Sequence, residues 1–239
     1  MAVVIGSARS DEKNKYSGGQ RGDQKQTATP DYNGEVSLQN FYMHSKGWYV
    51  LRPKDPYVAD RIAEKMKDAC HNKNIGYSQS DRLDIILKGI NTITATNCDC
   101  SSLVRECIIE ATGRDVGNFT TANEVSVLEK SGLFEKKVAY VPGMPLQNGD
   151  VLVTKTKGHT AVVVQGETNP IQPTLFKGMS NFYVLAWQKY LNTLGYKLAE
   201  SSIFSSEMDK VVKEYQKKNG LTPDGIIGPK TWATVGKGV

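Results

Sequence analysis

Four cysteines and three histidines carry most of the reactive chemistry in this sequence, and their neighbours separate them. A thiol attacks a carbonyl carbon only as thiolate, and an ordinary cysteine is mostly protonated at neutral pH. The positive end of a helix lowers the thiol pKa, and a neighbouring imidazole can take the proton and return it. Cys100 opens an apolar stripe of helical period formed by Leu103, Val104, Cys107, Ile108 and Ala111, with Gly113 as its stop signal. Asp99 or Ser101 can cap that helix, so Cys100 falls at, or one residue from, its N-terminus. His159 follows the turn Lys157-Gly158, between two β-branched runs at 150–154 and 160–165 that read as a hairpin. Such pairs meet in space rather than along the chain. Cys100 and His159 are therefore the candidate nucleophile and base of an acyl transfer.

The other cysteines and histidines have plainer readings. Cys107 falls on the apolar face of its helix and reads as core, and Cys98 has no evident role. His44 lies in a strand-like run and reads as a surface or satisfied core residue. His71 ends a helix, where a cation is favoured. A zinc site competes for Cys70-His71 and Cys98-x-Cys100, but the chain lacks two close ligand pairs roughly two to four residues apart. No metal and no cofactor is expected. The apolar stretch from Ala2 to Ile5 is short, with no basic residue before it, which is not the pattern of a secretory signal. Reduced thiols are then the default.

Several elements must position this pair. Ala59, Ile62, Ala63, Met66, Ala69 and Cys70 predict a helix over 57–71 behind Pro53 and Pro56. Residues 41–51 are aromatic and β-branched and read as one or two strands. Thr120 or Thr121 can cap a helix over 122–130 that Gly132 ends. The first 40 residues are rich in Gly, Ser, Asp, Lys and Gln, with a short strand at 3–5; they read either as a disordered arm or as a wrap around the domain. Residues 167–177 hold two prolines and little periodicity, as a linker would. Helices are predicted at 184–194, 207–219 and 231–235, and Ile203-Phe204-Ser205-Ser206-Glu207-Met208 is echoed by Ile226-Ile227-Gly228-Pro229-Lys230-Thr231. The expected organisation is a domain over 1–166, a linker over 167–180 and a small helical module over 181–239. A length of 239 residues accommodates both. No apolar run approaches the roughly 20 residues that span a bilayer, so stable membrane insertion is not expected. The net charge of +5 suits an anionic partner, yet the basic residues form no cluster, which argues against nucleic acid.

At the candidate site the sequence resembles a known family. Asp99-Cys100-Ser101-Ser102-Leu103-Val104 resembles the Asp-Cys-Ser-(Gly/Ser)-Leu-Val motif of NlpC-type cysteine peptidases. Gly149-Asp150-Val151-Leu152-Val153 and Gly158-His159-Thr160-Ala161-Val162-Val163-Val164 resemble the strand pair that delivers their histidine. The resemblance covers roughly residues 57–166, and related CHAP-type amidases share the papain-like core. It implies an α+β papain-like catalytic domain. Ile75-Gly76-Tyr77 is similar to the family's tyrosine-bearing segment, so Tyr77 would line the site and assist the oxyanion, with Asp99 and Ser101 flanking the cleft. In the family a polar residue after the histidine orients the imidazole. Gln165, Glu167 and Asn169 do not sit at the usual distance, so Asp23 or Gln24, in the Gly-rich turn at 18–24, is favoured over Glu167 as the third member.

The tail, from Gln216 to Trp232, is similar to the second repeat of type 1 peptidoglycan-binding domains, with a degenerate first repeat. That resemblance implies a three-helix module whose groove lies near Asp224, Gly225 and Trp232, although Trp232 reads equally as core. Together the two resemblances imply an endolysin of phage or prophage type, held in the host cytoplasm until a holin releases it, and acting on peptidoglycan of a Gram-positive wall. The implied reaction is that of an N-acetylmuramoyl-L-alanine amidase or of a stem or cross-link endopeptidase. A non-catalytic wall-binding protein, a cysteine transferase or deamidase, and a zinc amidase are the rivals.

Overall fold

The structure, a computed structural model, describes residues 2–29, 31–166 and 173–236. Two units emerge, one of Met1–Lys137 with Leu146–Glu167 and one of Val138–Pro145 with Thr168–Val239.

In the first unit the strands are β1 (Val4–Ala8), β2 (Val36–Asn40), β3 (Trp48–Leu51), β4 (Ile75–Tyr77) and β5 (Thr96–Cys98). Its helices are α1 (Pro56–His71), α2 (Asp84–Lys88), α3 (Cys100–Thr112) and α4 (Glu124–Lys130). Strand β6 (Val138–Ala139) belongs to the second unit; β7 (Val151–Thr154) and β8 (Thr160–Gln165) return to the first. The main sheet of the first unit runs β2-β1-β8-β7-β3, with antiparallel neighbours throughout. A separate parallel pair joins β4 to β5.

The two long helices form for the reasons their sequences suggest. Asp55 caps α1 by accepting from Tyr57 N–H, Pro56 pre-sets its first turn, and the predicted apolar face is the buried one. Asp99 caps α3, and Gly113 ends it in the left-handed conformation. The helices pack on each other and on β1 and β8. Ile62, Met66, Leu103, Val104, Cys107, Val151, Val153, Val162 and Val164 share one core. Each large side chain removed from water there stabilises the fold by about 1.5–3 kcal/mol. Gly6 sets how closely α1 approaches, since a Cβ there would lie 2.6 Å from Met66 Cγ.

The N-terminal stretch is neither an arm nor a peripheral wrap. β1 sits inside the sheet between β2 and β8. The polar chain joining β1 to β2 is held by buried carboxylates that accept backbone N–H groups. Asp11 takes those of Lys13 and Lys15, Asp31 those of Thr27 and Asn33, and Glu35 those of Gln24 and Tyr77. Of the run at 41–51, only Trp48–Leu51 is strand.

The second unit packs α5 (Phe182–Thr193), α6 (Ser206–Lys218) and α7 (Pro229–Trp232) around Trp187, Tyr190, Tyr215 and Trp232 in edge-to-face contact. The sequence echo is structural. Ser205 and Gly228 cap α6 and α7, while Phe204 and Ile227 are buried one residue before them. In each copy a buried glutamine clamps the preceding loop. Gln188 donates to Ile203 O and accepts from Ser202 N–H, as Gln216 does with Ile226 O and Gly225 N–H. Two boundaries differ from the sequence expectation. Residues 138–145 were placed in the first domain, yet Val141 and Met144 are buried in an apolar pocket with Ala186, Trp187, Tyr190 and Trp232. The expected linker at 167–180 is partly structured: 167–172 lie outside the described residues, but Leu175 is buried and bonded in both directions to Ile227, and Pro173 O accepts from Trp232 Nε1.

Candidate functional site

The N-terminus of α3 is fixed before any substrate arrives. Asp99 accepts from Ser102 N–H at 2.7 Å and from Ser101 Oγ at 2.9 Å, while Ser102 Oγ accepts from Asp99 N–H. The other Asp99 oxygen takes Arg82 Nε at 2.6 Å. Arg82 also donates to Ser101 Oγ, Asn118 Oδ1 and Phe119 O. This network holds Cys100 in the first turn. Asp99 and Ser101, expected to flank the cleft, are both buried, with polar atoms engaged in this network.

β8 is brought beside Cys100 by its own start. The backbone N–H groups of Thr160 and Ser101 act on the Cys100 thiol and favour its ionised form. His159, immediately before Thr160, lines the same cavity as Cys100. Both residues line a cavity of about 460 Å³, together with Tyr77, Tyr16, Tyr42, His44, Lys46, Gln79, Gly158 and Arg9. Tyr77 is buried, and its hydroxyl accepts from Gln79 Nε2 at 3.2 Å.

Two effects compete at the sulfur. The helix end and the two N–H groups favour thiolate, as the sequence leads one to expect. Burial outweighs them, and with the carboxylates of Asp99 and Glu124 it raises the thiol above its ordinary value. Burial, then the neighbouring His44 and Arg9, lowers His159 to about 4. Both shifts favour the uncharged forms, a neutral thiol and a neutral imidazole.

No described residue hydrogen-bonds the His159 ring, and aromatic packing holds it instead. Trp48 on β3 lies 6.1 Å from His159 and 5.3 Å from His44, centroid to centroid, and its Nε1 donates to Tyr42 O. Of the residues expected as third member, Asp23 and Gln24 do not line this cavity. The Asp23 carboxylate is consumed by the N–H groups of Lys25, Glu35 and Val36, where it organises the loop before β2. The Gln24 amide donates to Arg21 O and Gly22 O. Glu167 and Asn169 lie outside the described residues. The sequence reads His44 as a surface or satisfied core residue and gives Arg9 no role, yet both line the cavity. His44 is one of three histidines, which was the available signal; Arg9 carried none.

In the second unit Trp232 is core, 1% exposed and 5.2 Å from Trp187. Asp224 is exposed and accepts from Gln216 Nε2 and Ile226 N–H, so it shapes its loop. Among the described residues, no group of three or more His, Cys, Asp or Glu could hold a metal, and no helix is long and apolar enough to cross a membrane. All four cysteines are free and buried.

Comparison with known proteins gives two family matches. The endolysin-like domain model matches residues 5–170, and the peptidoglycan binding domain model matches residues 183–235. A comparison with curated proteins gives no match. Among solved structures, a peptidoglycan-binding protein from Clostridioides difficile in complex with glutamine hydroxamate is 28% identical over 39% of this chain and 74% of that chain, with a TM-score of 0.28. This chain therefore belongs to the endolysin-like domain family and joins that domain to a peptidoglycan binding domain.

Proposed function

We propose that the chain is a cysteine-dependent peptidoglycan hydrolase with a papain-like arrangement, cutting the amide between N-acetylmuramic acid and L-alanine. The observation that supports this reading is that Cys100, at the capped start of α3, and His159, just before β8, line one cavity with Tyr77. As the sulfur adds to the carbonyl carbon, its proton passes to His159. In this reading the Cys100 backbone N–H and the Tyr77 hydroxyl receive the oxyanion. His159 then protonates the leaving amine as the C–N bond breaks. Water hydrolyses the thioester with His159 again as base. The second unit supplies affinity for the polymer and raises local concentration at the wall.

In this reading the chain accumulates in a phage-infected Gram-positive host and reaches the wall when a holin opens the membrane. Its support is the family membership and the peptidoglycan binding domain. The test is digestion of purified sacculi by wild type and Cys100→Ala, with mass spectrometry of the products. The reading expects new amine ends from wild type alone. Intact stems freed from muramic acid identify an amidase, and shortened or uncrosslinked stems an endopeptidase. Equal release by both proteins, or none by either, would overturn it.

A further inference from the structure

The cavity holding Cys100 and His159 does not end at Arg9. A second cavity of about 460 Å³ is lined by Arg9, Ser10, Asn14, Tyr16, Lys25, Asn33 and Gly34, so Arg9 and Tyr16 wall both. Across the two, the charged lining residues are Arg9, Lys25 and Lys46; no Asp or Glu lines either among the described residues. These cations have neutral partners. Arg9 donates to Gly34 O, Tyr32 O, Ser37 Oγ and, at 3.4 Å, to Gln39 Oε1. Lys25 Nζ reaches Asn14 Oδ1 at 2.9 Å and Ser10 Oγ at 3.5 Å, and Lys46 Nζ donates to Lys157 O. Among the described residues no carboxylate is within ion-pair distance of any of the three. The acids of the same loop are occupied elsewhere: Asp23, Asp31 and Glu35 bind backbone N–H groups.

A half-buried guanidinium with only neutral partners is electrostatically incomplete. A planar fork and an ammonium that line one cavity match a carboxylate, which would gain charge-assisted hydrogen bonds from both. Tyr16, 62% exposed, and Tyr42, 37% exposed, offer aromatic faces at the rims. We propose that Arg9 and Lys25 form a carboxylate subsite, continuous with the Cys100–His159 cavity, that reads a free carboxyl group of a stem peptide beside the bond to be cut. This rests on the peptidoglycan reading above. Stem peptides carry several carboxyls that are free in some walls and amidated in others, so such a subsite would select between wall chemistries.

Binding tests the subsite without requiring turnover. The full chain carrying Cys100→Ala is titrated calorimetrically, at low ionic strength, with a muramoyl tetrapeptide and with versions amidated at one carboxyl at a time. Amidating one of them should raise Kd about tenfold, the scale of one lost charge-assisted contact. Lys25→Met in the same background should bind acid and amide alike, and Arg9→Lys should show a smaller preference than the parent. Equal Kd across the amide series, or no measurable binding, overturns the subsite. So does displacement by inorganic phosphate with no carboxyl preference, which would assign the cations to wall phosphate. Sacculus digestion by wild type reports separately. Release with a flat amide series sinks the subsite alone, whereas no release sinks the hydrolase and leaves the binding result standing.

Discussion

At the scale of single residues, the account turns on a neutral pair. His159 must be unprotonated to accept the Cys100 proton, and that form is lost as pH falls through about 4. The acid limb of kcat/KM should therefore lie near that value and well below an unperturbed histidine; a limb centred at the ordinary histidine value contradicts the geometry. Because the resting thiol is protonated, iodoacetamide should alkylate Cys100 slowly at neutral pH, and no thiolate absorbance should bleach on alkylation. His44→Ala removes the like charge and one aromatic neighbour of Trp48, so the acid limb should move upward while the fold persists. An unmoved limb would mean that His44 exerts no field on His159.

At the scale of elements, Cys100 is placed by the cap of α3, and β8 is tied to α4 through Thr160 Oγ1, which donates to Glu124 at 2.7 Å. Asp99→Ala would remove the cap and leave Arg82 without its carboxylate, at a cost of about 2–4 kcal/mol by chemical denaturation. A loss within about 0.5 kcal/mol, the range of ordinary surface changes, would show that the network does not hold the helix start. Glu124 is fully buried, one of its oxygens has no partner among the described residues, and burial raises it to about 8. The fold then holds a proton that the unfolded chain, titrating near 4.5, has already lost. Its contribution is complete below that value and declines as pH rises through about 8. Glu124→Gln should leave stability nearly unchanged near pH 5 and raise it by on the order of a few kcal/mol near pH 9 relative to wild type. These elements also mark what the sequence disclosed. α1 and α3 were legible because their apolar spacing, caps and glycine stop agree. β1 was legible only at its start, as the short strand expected at 3–5, because Gly6 and Ser7 break any alternating pattern, and its neighbouring loop folds around buried carboxylates that read as solvated charge. His44 was obscured for a related reason: its role comes from packing across β3, which spacing along the chain does not encode.

At the scale of the molecule, the boundary between the units is not where composition changes. Val141 and Met144 find their partners among Ala186, Trp187, Tyr190 and Trp232, so a chain cut after residue 166 would strip them. Such a truncation should bind a hydrophobic dye, and the further replacement of Val141 and Met144 by serine should abolish the dye signal. A truncation that binds no more dye than the full chain would mean that 138–145 need no partner. The chain carries a peptidoglycan binding domain, and the proposed chemistry rests on one sulfur atom. The most direct test of that assignment is mass spectrometry of the intact protein, acid-quenched during digestion of soluble muropeptides. The account predicts an added mass equal to the acyl fragment, located on the peptide containing Cys100 and absent from Cys100→Ala. Muropeptide cleavage with no adduct, undiminished in Cys100→Ala, would contradict it.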